Sequence, residues 1–173
     1  MVVRKRLDIS GNALVFVTTT VREWAPVFDN HQFATAALVQ LAETTSHYDV
    51  RIAGYVLMPT HLHLLLGFEH LDNLSLLMQS YKSLSSRRLI RMIPDKSKGL
   101  FAGSSPRTFW KPRFDDLVIW SEKQFKIKLD YIHSNPVRAG LVEKASDYLY
   151  SSADSWLSGK QGLIEVDKEW TWV

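Results

Sequence analysis

His61-Leu62-His63 and Tyr131-Ile132-His133-Ser134-Asn135 are the two stretches of this sequence whose residue types and spacing could do chemistry. Two imidazoles separated by one residue of a strand project from the same face, because side chains alternate with period two. Such a pair can hold a divalent cation, but it supplies only two ligands, so a third must come from elsewhere in the fold. The plain alternative is two histidines lining an exposed strand surface. Tyr131 lies about one helical turn before Asn135, so on a helix the two share a face. A tyrosine oxygen can attack a phosphodiester and store the broken bond as a phosphotyrosine, which another strand's hydroxyl can reseal. A metal ion beside it would polarise the phosphate. Here the plain alternative is a half-buried packing residue, since Ile127, Leu129 and Ile132 give the same helix an apolar side.

A third feature is charge. From Ser80 to Arg113 there are nine basic residues (Lys82, Arg87, Arg88, Arg91, Lys96, Lys98, Arg107, Lys111, Arg113) and one acid, Asp95, a local charge of +8. Removing it from the +3 of the whole chain leaves −5 elsewhere, so the molecule is polarised. Tyr81, Phe101, Phe109, Trp110 and Phe114 are interleaved with these cations. That mixture suits a surface that tracks phosphates and stacks unpaired bases. The expected DNA contacts are Arg87, Arg88, Arg91, Lys96, Lys98, Arg107, Lys111 and Arg113 to phosphates, with Trp110 as a stacking platform. A solvated amphipathic helix followed by a loop would carry the same composition. His31, His47 and His70 show no pattern and read as surface residues.

The elements that must position these groups follow from periodicity. Ala13 to Thr20, rich in β-branched residues, reads as a strand, and Trp24, Pro26 and Asp29-Asn30 punctuate the chain after it. Apolar residues at helical spacing predict a helix over His31 to Ser46. Tyr48 to Leu57 and His61 to Phe68 read as a hairpin broken at Met58-Pro59-Thr60, with Leu62, Leu64 and Leu66 facing the core behind the histidines. A long helix is expected from Asp72 to Ile93, ended before Pro94, and then a mobile loop over Lys96 to Pro106. Phe114 to Trp120 includes a strand. Ser121 to Ser134 is a helix stopped by Asn135-Pro136, with Ser121 and Gln124 matching a capping box. The order strand, helix, strand, strand, helix, strand is that of an α+β, ferredoxin-like (RRM-like) sandwich with two helices on one sheet face and the other face open for chemistry.

The 173 residues and 46% hydrophobic content suit one compact domain. The absence of cysteine excludes disulfide scaffolds, thiol catalysis, thiolate zinc sites and iron–sulfur clusters, and a cytoplasmic location is the expectation. Arg4-Lys5-Arg6 is followed by too short an apolar run for a signal peptide, and no stretch is long enough to cross a bilayer. Residues 153–173 are a candidate C-terminal tail. Its acids Glu165, Asp167 and Glu169, with Trp170 and Trp172, either dock on a sheet edge or cover a basic groove.

Taken together, Gly54-Tyr55-Val56-Leu57-Met58-Pro59-Thr60-His61-Leu62-His63-Leu64-Leu65-Leu66, the basic helix, Tyr131 through Val142, and Tyr150-Ser151-Ser152 resemble the REP-associated tyrosine transposases. These are single-tyrosine HUH transposases, relatives of the smallest insertion-sequence enzymes, and the likeness runs from about Ala13 to Ser152. The resemblance implies one HUH transposase domain over 1–173, with the tyrosine helix on the open sheet face. It implies an endonuclease and strand transferase acting on single-stranded DNA hairpins, REP-like palindromes, beside which single strands are cut and rejoined. By motif position, His61 and His63 are implied as metal ligands for Mg²⁺ or Mn²⁺. Tyr131 is implied as the nucleophile that keeps the 5′ phosphate and releases a 3′ hydroxyl. Asn135 falls at the third ligand, where insertion-sequence relatives carry Gln, and His133 on the same helix end is its substitute. Thr60 stands where Asn is frequent in the family. A monomer or a homodimer is implied, since in some relatives the tyrosine helix works in trans. The rival readings are a ferredoxin-like nucleic-acid-binding module that does not cleave, such as a domesticated transposase, and a metal-dependent hydrolase with a water nucleophile.

Overall fold

The computed structural model describes residues 12–93 and 109–170. The loop expected over Lys96 to Pro106, with the proposed contacts Lys96, Lys98 and Arg107, and also Trp172, lies outside the described residues. The elements are β1 (Ala13–Thr20), α1 (His31–His47), β2 (Arg51–Met58), β3 (His61–Phe68), α2 (Asn73–Met92), β4 (Asp115–Ile119), α3 (Glu122–Arg138) and α4 (Ala153–Ser158). They form a single antiparallel sheet of order β2-β3-β1-β4, the ferredoxin-like arrangement expected.

Alternation along the strands divides the interior into two layers. Val15 and Val17 of β1 and Leu62, Leu64 and Leu66 of β3 pack with Leu38, Leu41, Leu74, Leu77 and Tyr81 of α1 and α2. Leu14, Phe16, Leu65 and Ile119 face the other way and pack with Phe125, Leu129 and Ile132 of α3. Gly54 lets α3 come close, because a Cβ there would stand 2.8 Å from a Leu129 methyl and 3.1 Å from one of Ile132. Each fully buried leucine or isoleucine contributes about 1.5–3 kcal/mol, so both layers hold the sheet.

Two boundaries and one cap differ from the sequence pattern. Strand β2 starts at Arg51 rather than Tyr48, because Tyr48 caps α1 by donating its N–H to the Thr44 carbonyl and Asp49 turns the chain at φ 54°. Helix α3 continues through Asn135-Pro136 to Arg138. Pro136 removes one donor there, but the carbonyls of Asn135 and Pro136 still accept from Ala139 and Leu141 at 3.0 and 2.9 Å, and Gly140 at φ 72° ends the helix. At the start of α3, Ser121 Oγ accepts from the Gln124 N–H as a capping box requires, but Gln124 Oε1 accepts from the N–H of Trp120 rather than of Ser121.

The chain beyond Ser152 docks on the sheet edge. Leu57 N–H donates to the Tyr150 carbonyl, Ser152 N–H to that of Tyr55, and Asp167 N–H to that of Ile52, so the outer rim of β2 is paired. Ile164 is buried, Asp167 pairs with Arg51 at 3.0 Å, and the Trp170 ring lies on Gly67, where a Cβ would come within 2.4 Å of it. Gly67 is at the end of β3 away from His61, so these acids stand apart from the histidine pair. Among the described residues no helix is long and apolar enough to cross a membrane.

Candidate active site

The register of β3 sets the histidines. His61 and His63 face Thr20 and Thr18 of β1, on the sheet side that carries Phe16 and α3. Their rings are 4.7 Å apart between centroids. Each Nδ1 is held by a threonine: His63 by Thr18 Oγ1 at 2.7 Å, and His61 by Thr60 Oγ1 at 2.9 Å. In the tautomer that donates Nδ1–H to the hydroxyl, Nε2 keeps its lone pair, the usual way in which an outer partner fixes a ligating imidazole. His63 Nε2 is buried and has no hydrogen-bond partner. Burial, then the charges of His61, Lys128 and Arg138, lowers the His63 pKa to about 3, and burial lowers that of His61. Both rings are therefore neutral at pH 7, the form that binds a cation.

Helix α3 lays one face over this pair. Tyr131 stands edge-on to His63 at 5.3 Å and to Phe16 at 6.1 Å, with 37% of its surface open. Lys128 Nζ lies 4.6 Å from the Phe16 ring centre and 5.5 Å from that of Tyr131, and the Arg138 guanidinium is 4.8 Å from the latter. Residues 128, 131, 135 and 138 recur at helical spacing, so the nucleophile candidate, the amide and two cations share one face. Asn135 Nδ2 is buried without a partner. Because amide O and N are assigned from their hydrogen bonds, an unpartnered position is equally open to Oδ1, which can accept a cation.

His133 does not join the site. It is 7% exposed, with Nε2 on Ser152 Oγ at 2.8 Å, and burial lowers its pKa to about 4. Ser152 in turn meets the backbone of Tyr55, so His133 ties α3 to the β2 edge and is not a substitute ligand. Among the described residues no group of three His, Cys, Asp or Glu could hold a metal ion.

The expected DNA contacts divide. Trp110 is a correction: it is 2% exposed, packs between Phe28 and Tyr81, and donates Nε1–H to Ser85 Oγ at 3.0 Å, so its faces are closed to a base. Two of the aromatic residues that made it look like a platform, Tyr81 and Phe109, are its packing partners. Helix α2 covers the sheet face opposite the histidines, which places Arg87, Arg88 and Arg91 away from them. Arg88 pairs with Glu43 of α1 at 3.0 Å, while Arg87 and Arg91 are exposed. Arg87 lines a groove of about 700 Å³ beside the segment that carries Lys111 and Arg113. Lys82 clasps that segment, its Nζ donating to the carbonyls of Lys111, Pro112 and Arg113 at 2.7, 3.2 and 3.2 Å. Sequence reasoning missed Lys128 and Arg138, although their spacing from Tyr131 was the available signal. It also passed over Trp24, which stands beside His61 with ring centroids 6.0 Å apart.

Known proteins resemble this chain. The sequence model of the family described as "Transposase IS200 like" matches residues 13–135, which contain both histidines, Tyr131 and Asn135. A Haemophilus influenzae protein named as a REP-associated tyrosine transposase is 31% identical over 153 residues, 85% of this chain and 83% of its own. The REP-associated tyrosine transposase of Escherichia coli K12 is 29% identical over 117 residues, 67% of this chain and 61% of its own. Among solved structures, a REP-associated tyrosine transposase bound to a REP hairpin superposes with a TM-score of 0.72 at 22% identity, covering 97% of this chain and 93% of that one. A Deinococcus radiodurans transposase superposes with a TM-score of 0.54 at 18% identity, covering 73% of this chain and 93% of its own. The fold, the matched span and the curated relatives agree, and the chain belongs to the IS200-like transposase family, among the REP-associated tyrosine transposases.

Proposed function

We propose that the chain binds single-stranded DNA folded into hairpins and cuts and rejoins the strand beside them, with Tyr131 as nucleophile. The observation that carries this reading is the placement of Tyr131 edge-on to His63, an imidazole whose Nε2 is buried and unpartnered. A buried polar atom with no partner is costly, and it is retained where something else completes it.

The residues fit a divalent cation. His61, His63 and Asn135 would hold Mg²⁺ or Mn²⁺, which would supply polarisation of the phosphate and stabilisation of its developing charge. The chain's own part is positional and electrostatic. Thr18 and Thr60 fix the imidazoles, Phe16 seats the Tyr131 ring, and Lys128 and Arg138 stand where a phosphate approaching Tyr131 would meet positive charge. Tyr131 Oη forms a bond to phosphorus as the bond from phosphorus to the 3′ oxygen breaks. The tyrosine proton is lost to solvent, and the 3′ oxygen takes up one to leave as a hydroxyl. The phosphotyrosine keeps the 5′ phosphate, and attack by a 3′ hydroxyl reverses the step and frees Tyr131. The chain works as one domain in this reading, as a monomer or a homodimer.

The test is a hairpin oligonucleotide with single-stranded flanks, labelled 5′ or 3′ of the cut and incubated with Mn²⁺ or Mg²⁺. A denaturation-resistant adduct carrying only the 3′-side label is the expected result. Binding without cleavage would favour the non-cleaving module, and cleavage without an adduct the hydrolase.

A further inference from the structure

Strand β1 does not end freely. Beyond Thr20 the chain is clamped on both sides: Val21 N–H donates to the Thr60 carbonyl at 2.9 Å, Arg22 N–H to that of Phe109 at 3.0 Å, and Lys111 N–H to that of Thr20 at 2.8 Å. The turn that follows, Arg22–Trp24, places two successive non-glycine residues in the left-handed region, Glu23 at φ 58° and Trp24 at φ 55°. Side-chain-bearing residues rarely adopt that conformation, and strained turns cluster at functional sites. Here the clamped turn displays a large apolar ring to solvent. Trp24 is 56% exposed, its ring 6.0 Å from that of His61 on one side and 4.2 Å from Lys111 Nζ on another.

We infer that Trp24 is the stacking platform for an unpaired nucleobase next to the phosphate that is cut, and so a positioning residue for cleavage. An indole face is sequence-tolerant, since every base has a face to offer, and a lysine over the ring adds a phosphate contact. The occupant follows from continuity with the site: a strand whose phosphate lies at His61 and Tyr131 must send its neighbouring nucleotide past one edge of the pair, and Trp24 with Lys111 forms that edge. Trp120, also exposed at 60%, lies just before α3, whose first residue Glu122 stands nine residues before Tyr131, about 14 Å along the axis.

This inference rests on the cleavage reading, and the experiment separates the two. Hairpins with an abasic site at each flank position in turn are titrated against the parent protein, Trp24→Ala, Trp24→Phe and Trp120→Ala, with adduct yield measured in Mn²⁺. In the parent, one abasic position next to the cut should weaken binding by about 5- to 150-fold. Trp24→Ala should lose the same factor on intact DNA and nothing further on that abasic strand, Trp24→Phe should retain part of it, and Trp120→Ala should match the parent. Undiminished affinity of Trp24→Ala, or an abasic penalty that persists in it, overturns the inference. So does a parallel loss of Mn²⁺ affinity measured without DNA, which would make Trp24 a support for His61. An adduct in the parent with no coupling at Trp24 removes the stacking role alone, whereas no adduct in the parent removes the cleavage reading with it.

Discussion

Tyr131 meets His63 edge to face, the ring planes inclined at 69°, so nucleophile candidate and ligand candidate touch through their rings, a contact that does not depend on the phenol oxygen. Removing only that oxygen is therefore the cleanest perturbation. Tyr131→Phe keeps the contacts with Phe16, His63, Lys128 and Arg138. It should retain hairpin affinity and thermal midpoint while yielding no cleavage and no adduct. Residual cutting by the Phe variant would assign the nucleophile elsewhere.

The proposed donor set has a consequence for the cation. If His61, His63 and Asn135 hold the ion, none of them brings a negative charge, so the phosphate would supply it and ion and DNA should each tighten the other by the same factor. Calorimetric Mn²⁺ titrations with and without a hairpin should show that gain. His61→Ala and His63→Ala should each abolish both the gain and cleavage, as should EDTA. Equal Mn²⁺ affinity with and without DNA would contradict the shared site.

Lys128 and Arg138 are expected to act on the reacting phosphate, and Arg88, paired with Glu43 behind the sheet, is not. Lys128→Ala and Arg138→Ala should each slow cleavage on the order of 10²-fold. Each should also flatten the slope of log affinity against log salt by roughly 0.7–0.9. Arg88→Ala should leave single-turnover cleavage within about twofold, an effect of a few tenths of a kcal/mol. Comparable losses in all three would mean that DNA wraps both sheet faces.

Trp110→Ala should behave as a core truncation. Emptying its place between Phe28, Tyr81 and Ser85 is expected to cost about 3–5 kcal/mol, read as a lowered denaturant midpoint. The variant that remains folded should bind hairpin and blunt duplex in the parent's ratio. Loss of hairpin binding alone, at unchanged stability, would restore the stacking role to this residue.

His133 gives the pH signature of stability. Its pKa falls from the ordinary 6.5 to about 4 on folding, so between those values the unfolded chain binds the extra proton. Stability contributed by the neutral buried ring is then complete above about pH 6.5 and declines as pH falls toward 4, by up to about 1.4 kcal/mol per unit. Urea midpoints from pH 7 to 4 should fall less steeply for His133→Gln, whose amide can still reach Ser152. An identical slope in the variant would locate the acid sensitivity elsewhere.

Strands β1 and β3 were legible to the residue because β-branched and alternating patterns declare both their extent and their faces, and the histidine pair came with them. Tyr131 and Asn135 were legible through helical spacing. What failed were features decided by tertiary surroundings. Trp110 beside Lys111 and Phe109 has the local composition of a DNA contact, and only the partners brought by the turn before α1 and by α2 show it as core. His133 and Asn135 are two residues apart on α3, and the rotation of that helix on the sheet sends one to Ser152 and leaves the other unpartnered. Trp24 sat in a stretch read as mere punctuation, since backbone conformations with positive φ have no sequence signature when glycine is absent.

The two-layer interior also separates the halves of the chemistry. The imidazoles ride on β3, where every residue after His61 is buried and Leu62 to Gly67 lie between paired strands, whereas Tyr131 rides on α3, held by Phe125, Leu129 and Ile132 and by the tie from His133 to Ser152. The two candidates thus stand on separate elements, joined by the packing of α3 on the sheet and by that tie. In the proposed reaction, the alignment of Tyr131 with His61 and His63 would be set by how α3 seats on the sheet, and a bound strand touching both elements would reinforce that seating.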